Sequence, residues 1–283
     1  MSLPYATPFY SQNGTIQVLL QGINFGSALA TIINPKRQSH QSLNQQLRQA
    51  FETVQLLELL LGQDSANHFI QSSLFYLSFG KDDYIRHFLD NSSGISLKYN
   101  GQSFAKILVN QMGNAIRDLY DVNVRKIVCL GILPLGCAPR ILWERHNDTI
   151  GAGNRGCEDE INKLVLQYNT MLEEQIIDLN AELSGAHIIF CDVYRGIMEI
   201  ITNPEVYGFE DVRNACCGLG TYGGESGCLS TDMACDQAST HLWWDLYNPS
   251  QAVNSLLADS AWSGQRIPAI CRPFTVQKLV SYK

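Results

Sequence analysis

The spacing of apolar residues in this chain switches repeatedly between a helical and a strand pattern, and that switching limits its possible folds more than any other feature. Leu43, Leu47, Phe51, Val54, Leu57 and Leu61 recur on one helix face and run up to Gly62, a residue suited to closing a helix. The short aromatic-rich run Leu74-Phe75-Tyr76-Leu77-Ser78-Phe79 stops at Gly80 and reads as a buried strand. A second helix is expected from about Ser103 to Tyr120, and Lys126 to Gly131 follows as another buried strand. Ile161, Leu164, Val165, Tyr168, Leu172, Ile176, Leu179 and Leu183 mark the longest amphipathic helix, ahead of the strand His187 to Cys191. From Cys216 to Cys235 the pattern gives way to a Gly-rich loop, and Pro249 is expected to open a last short helix through about Ser260.

Strands separated by helices favour parallel pairing, so the expected class is α/β: a doubly wound parallel sheet with helices on both faces. Ligands in such folds sit beyond the carboxyl ends of the strands, which makes the residues just after each strand the ones to inspect. At 283 residues and 45% hydrophobic content, the chain suffices for one sizeable domain over residues 1–283. A net charge of -7 without a Lys/Arg cluster argues against a nucleic-acid partner. No apolar run reaches the roughly 18 residues of a membrane span.

Met1-Ser2-Leu3-Pro4-Tyr5 has neither the basic nor the apolar region of a signal peptide. Nine cysteines and the sequons at Asn13, Asn91 and Asn147 nevertheless fit a glycosylated secretory protein. That conflict leads us to expect a lost N-terminus.

Four segments resemble the plant GDSL esterase/lipase family, a branch of the SGNH hydrolases. They are Gly22-Ile23-Asn24-Phe25-Gly26-Ser27-Ala28, Leu74 to Tyr84, Leu133 to Pro139, and Ala215 to Asn254 with its WWDLYNPSQAVN end. The resemblance implies an SGNH/flavodoxin-like three-layer fold in one hydrolase-like domain. It also implies acyl transfer by a Ser-His-Asp triad on a small ester or lipid ligand, with no cofactor and no metal. The family's nucleophile lies in a Gly-Asp-Ser motif, which does not occur in these residues. The first strand and its serine are therefore expected to be missing, leaving two apolar edges between the strand near Gly22 and the one ending at Phe79.

Asp245-Leu246-Tyr247-Asn248 stands at the family's Asp-x-x-His, followed by Pro249. Asp245 keeps the orienting acid, but Asn248 holds the place of the base, and a carboxamide does not take a proton near neutral pH. The plain structural reading of Asn248 is a helix N-cap ahead of Pro249. In Gly80-Lys81-Asp82-Asp83 the family's oxyanion asparagine is replaced by Asp82, while Gly22 corresponds to the backbone N–H donor of the oxyanion hole and reads otherwise as a turn glycine. Ser27 and His241 are the nearest substitutes by position, and both read better as structural residues. Trp243 and Trp244 would line a remaining cleft or belong to the core.

Among the cysteines, the resemblance pairs Cys137 with Cys157 and pairs Cys216, Cys217, Cys228 and Cys235 among themselves, in any of three ways. A Zn²⁺ site is the competing reading of those four, weakened by the adjacency of Cys216 and Cys217 and by the absence of a Cys-x-x-Cys pair. Cys129 and Cys191 are expected to be inert strand residues, with Cys271 left over. The functional expectation is a GDSL ester-hydrolase homologue that is inactive as it stands. Its alternatives are a pseudoenzyme binding a ligand or partner, and an unstable fragment.

Overall fold

The computed structural model describes residues 5–33, 41–146 and 156–282, so Met1 to Pro4 and the Asn147 sequon lie outside the described residues. In chain order the first elements are β1 (Thr7–Pro8), α1 (Ile16–Gln21) and β2 (Ile23–Asn24). Next come α2 (Leu43–Leu61), α3 (Gln63–Ser72), β3 (Leu74–Leu77), the one-turn α4 (Lys81–Asp83) and α5 (Ile95–Lys98). They are followed by α6 (Gly101–Asp121), β4 (Lys126–Leu130), α7 (Pro139–His146), α8 (Asp159–Glu182) and β5 (His187–Cys191). The remainder is α9 (Val193–Thr202), α10 (Pro204–Tyr207), β6 (Asp211–Ala215), β7 (Gly218–Leu219), β8 (Ser226–Gly227), β9 (His241–Trp243), α11 (Gln251–Ser263), β10 (Cys271–Arg272) and α12 (Val276–Ser281).

The main sheet has the order β10-β5-β4-β3, with β3 parallel to β4 and Leu74 opposite Lys126. Helices surround this parallel-rich sheet, as the α/β reading requires. β1 and β2 pair in parallel as a separate two-stranded sheet, so β3 is an edge strand of the main sheet.

The described residues divide into two compact units. Unit 1 takes the chain through Cys129, then Met171–Ile188 and the segment from Leu279. Its helices start and stop where local chemistry dictates. Ser42 and Gln45 form a capping box at the head of α2, and Gly62, with φ 79°, closes that helix by donating its N–H to Glu58 O. On α6 the buried residues Phe104, Leu108, Met112, Ile116 and Leu119 repeat at helical spacing and form the apolar face. Unit 2 comprises Leu130–Thr170 and Ile189–Lys278. Its buried residues include Tyr168, Phe190, Ile197, Leu242, Trp243 and Val253. Asn169 ties the start of this unit together, accepting from Ile132 N at 2.7 Å and donating to Ile132 O at 2.8 Å.

Several expectations require correction. The strand after α3 ends at Leu77 rather than Phe79, and it is not fully buried, because Tyr76 on its edge is 62% exposed. The helix expected from Pro249 begins at Gln251, with Ser250 accepting from Val253 N as its cap, and α12 follows it as the last helix. Asn248 is therefore not the N-cap.

Cys191 and Cys271 are neither inert nor left over. β10 runs antiparallel to β5 with Cys271 opposite Cys191, and the two form a disulfide. Cys137 pairs with Cys157 as the resemblance implied, and the open four-cysteine set resolves to Cys216–Cys235 and Cys217–Cys228. Those four sulfurs are spent on disulfides rather than on a metal. Cys129 is buried and free, and burial pushes its thiol up to about 12.

The two kinds of bridge differ in the loop they close, 80 residues for Cys191–Cys271 and 11 for Cys217–Cys228. On the chain-entropy account the first is worth about 4 to 5 kcal/mol and the second about 3 kcal/mol. Replacing both Cys191 and Cys271 by Ser is expected to lower the denaturant midpoint more than the matched Cys217/Cys228 replacement. Equal midpoints for the two double variants would contradict this.

Candidate active site

The sequence-predicted site residues fall in both units, two in each, and each pair is described within its own unit. In unit 1, Gly22 closes α1 with φ 99° and ψ 150°, a backbone conformation that only glycine adopts without strain. Its N–H donates to Leu19 O at 3.2 Å. The turn role of Gly22 is thus fulfilled, and any contact with an oxyanion would share the same N–H.

Asp82 sits in α4, directly after Gly80, which takes φ 104° where the chain leaves β3. Its carboxylate is 14% exposed and lies 4.0 Å from Lys81 Nζ. The next residue, passed over in the sequence, is the more deeply placed. Asp83 is fully buried and binds the main chain of a segment some fifty residues upstream. Its Oδ2 accepts from Ile32 N at 2.8 Å, and its Oδ1 accepts from Ile32 N at 3.1 Å and Ile33 N at 3.0 Å. Burial pushes the carboxyl up to about 7, outweighing those donors, and the neighbouring Asp82 charge adds to the rise. Asp83 thereby ties the chain beyond β2 to the turn that carries Asp82.

Ser27 is in an exposed stretch of the same unit, donating to Ala28 O at 3.3 Å and accepting from Gln41 N at 3.4 Å. Neither contact offers a base for its hydroxyl.

In unit 2, Asp245 and Asn248 occupy a tight turn after β9. Asp245 Oδ1 accepts from Tyr247 N at 3.0 Å and Asn248 N at 2.8 Å. Asn248 Nδ2 donates to Oδ1 at 3.0 Å and to Oδ2 at 2.9 Å, so the carboxamide lies against the carboxylate. The turn is closed by Trp244 N donating to Asn248 O at 2.8 Å and by a bridge between Trp243 and Pro249. Of the two tryptophans, Trp243 belongs to the core, fully buried with its indole N–H on Val212 O at 3.1 Å. Trp244 is half-buried. His241 faces a disulfide and Asp211 rather than Asp245.

The chain thus combines a parallel-rich α/β sheet with an aspartate turn that leads into the capped helix α11. The sequence profile of the GDSL-like Lipase/Acylhydrolase family matches residues 4–261, and the chain belongs to that family. It is 31% identical to GDSL esterase/lipase At1g71250 of Arabidopsis thaliana, over 99% of this chain and 74% of the relative. It is likewise 31% identical to GDSL esterase/lipase At1g71691, over 97% of this chain and 70% of that one. GDSL esterase/lipase 7 of the same plant is 29% identical over 93% and 73% of the two chains.

Asp83 gives unit 1 a pH signature. With its pKa raised from 3.8 to about 7, the folded chain keeps a proton that the unfolded chain releases between those values. The contribution to stability is full below about pH 4 and is lost as pH rises through about 7. Asp83→Asn removes the titration and leaves an N–H donor facing other donors, at a cost of about 1 to 3 kcal/mol. The stability difference between wild type and Asp83→Asn, measured by urea unfolding, is expected to grow as the pH falls from about 8 to about 5. A difference that stays flat across that range would refute the assignment.

Proposed function

We propose that this chain is a GDSL-family frame for a small carboxylic ester or lipid ligand, in which Asn248 replaces the general base and turnover by Ser-His-Asp chemistry is lost. One observation carries the reading: the Asn248 carboxamide spends its nitrogen on both oxygens of Asp245. An imidazole there would donate one N–H to the acid and keep its second nitrogen to take a proton from a nucleophile. A carboxamide has no such nitrogen, and its oxygen is too weakly basic to replace it.

Asp82 works in the same direction. A charged carboxylate at the oxyanion position opposes the developing negative charge by about 4 kcal/mol for two unit charges ~4 Å apart at an effective dielectric near 20. Gly22 would supply the remaining donor, in competition with its bond to Leu19 O. The ester or lipid class is extended from the family to this chain. Four disulfides and the exposed sequon at Asn13 support an oxidising, secretory destination.

Purified chain is expected to release no p-nitrophenol from p-nitrophenyl butyrate above a mock preparation, and to take up no fluorophosphonate label. Stoichiometric labelling of a serine would overturn the reading. To isolate position 248, a family segment bearing Gly-Asp-Ser is joined ahead of residue 1. That chimera should hydrolyse poorly, and Asn248→His should raise kcat by on the order of 10³ or more. Asp82→Asn should then raise kcat further, because the oxyanion contact is made in the transition state. A chimera already as active as an intact relative would show that neither position has the role proposed.

A further inference from the structure

Outside the aspartate turn, unit 2 holds a second cluster of reactive side chains. β6 pairs in parallel with β9, and the register sets Asp211 opposite His241. Across that pair, His241 Nε2 lies 3.9 Å from Asp211 Oδ2. On its other side, His241 Nδ1 lies 3.5 Å from Cys235 Sγ and 3.1 Å from Gln237 O. The ring is therefore held between a carboxylate and a sulfur, with a backbone carbonyl fixing its plane.

Asp211 is itself anchored. Its Oδ1 accepts from Arg213 N at 2.9 Å and Asn214 N at 2.8 Å, and its Oδ2 accepts from Asn214 Nδ2 at 2.7 Å. Burial pushes this carboxyl up, but the Asn214 and Arg213 donors together with His241 outweigh it and hold it below the usual carboxylate range.

Cys235 is half-buried, whereas its disulfide partner Cys216 is 3% exposed. This asymmetry suits a pair in which one sulfur meets external reagents and the other closes the bond from inside. The neighbouring Cys217–Cys228 bridge shares that asymmetry, Cys217 being buried and Cys228 half-buried, but it differs in what its sulfurs meet: both lie 3.6 Å from Ser230 O. An imidazolium beside a sulfur stabilises its thiolate, and a carbonyl oxygen does not.

We propose that Cys235 is a thiol–disulfide exchange site for low-molecular-weight thiols and disulfides, with His241 acting on its sulfur, Asp211 positioning His241, and Cys216 as the resolving thiol. In the dithiol state the Cys235 thiolate attacks one sulfur of a small disulfide. A Cys235 mixed disulfide forms and one small thiolate leaves. Cys216 then gives up its proton and attacks the Cys235 sulfur, closing the Cys216–Cys235 bond and expelling the second small thiolate. Two electrons pass from the protein dithiol to the small disulfide, and the reverse sequence lets two small thiols open the pair. His241 acts in the step where the Cys235 thiolate attacks or leaves.

The test uses the whole chain. Cys216→Ser leaves Cys235 as a single thiol, and Cys217→Ser leaves Cys228 as its comparator. Each variant is given oxidised glutathione at neutral pH, quenched with acid and mapped by peptide mass. Cys235 is expected to form the mixed disulfide about fivefold faster than Cys228 or more, because the His241 imidazole beside its sulfur favours the attacking thiolate. Adding His241→Gln should bring Cys235 down to the Cys228 rate. Asp211→Asn should slow it in part, and Asp211→Glu should restore it. In oxidised wild-type protein titrated with reduced glutathione, Cys216–Cys235 should open before Cys217–Cys228, a measurement that does not depend on any variant folding. A Cys235 rate no greater than that of Cys228, indifference to His241→Gln, or the opposite order of opening in the wild type would overturn the proposal.

Discussion

A strand in a parallel sheet has to be covered on both faces, and β4 and β5 show what that requires of the sequence. Ile127, Val128 and Cys129 are at most 2% exposed, as are Ile188, Ile189 and Phe190. No residue in these stretches alternates outward, so polar side chains have no place in their middles. The same constraint explains Cys129, whose thiol burial keeps protonated and so removes it from redox chemistry. It also explains why β3 differs. With β4 on one side only, β3 stands at the sheet edge with Tyr76 62% exposed, although its composition is that of a central strand.

Where burial creates a period, the sequence reveals the element. The α2 pattern placed a helix that runs from Leu43 to Leu61, and the β5 run matched His187 to Cys191 at both ends. Elements without a period stayed hidden. Only Ala66 and Ile70 are buried on α3, too few to mark a face in a segment otherwise polar. β10 is two residues long and cannot show alternation, so no pattern marks Cys271 as the partner opposite Cys191. The family resemblance covered the bridges within Ala215 to Asn254, but the register of a two-residue strand is decided by packing.

The carboxylates that organise the local structure were the least legible part. Asp83, Asp211 and Asp245 each accept backbone N–H groups, and at Asp211 and Asp245 the donors come from residues two and three positions ahead. Such a turn is local chemistry that a sequence can suggest. What a sequence does not record is which acid turns inward. Asp82 and Asp83 are adjacent and chemically identical, yet Asp83 is fully buried and holds Ile32 and Ile33. The difference arises because Gly80 redirects the chain at φ 104°, and the backbone donors that Asp83 meets come from a segment some fifty residues away.

The turn around Asp245 depends little on the side chain at 248. At Asp245 two of the accepted bonds come from main-chain N–H groups, of Tyr247 and Asn248, and would form with any residue but proline at 248. The carbonyl of 248 receives Trp244 N, Pro249 bridges to Trp243, and Ser250 caps α11, again without the side chain of 248. What the carboxamide adds is a pair of bonds from Nδ2 that satisfies both oxygens of Asp245. A side chain lacking a donor would leave water to replace those exposed bonds, so asparagine is among the replacements that the turn accepts readily. On the proposed reading, position 248 separates two properties that a histidine combines: the carboxamide makes the hydrogen bonds to Asp245 and has no nitrogen with which to take a proton.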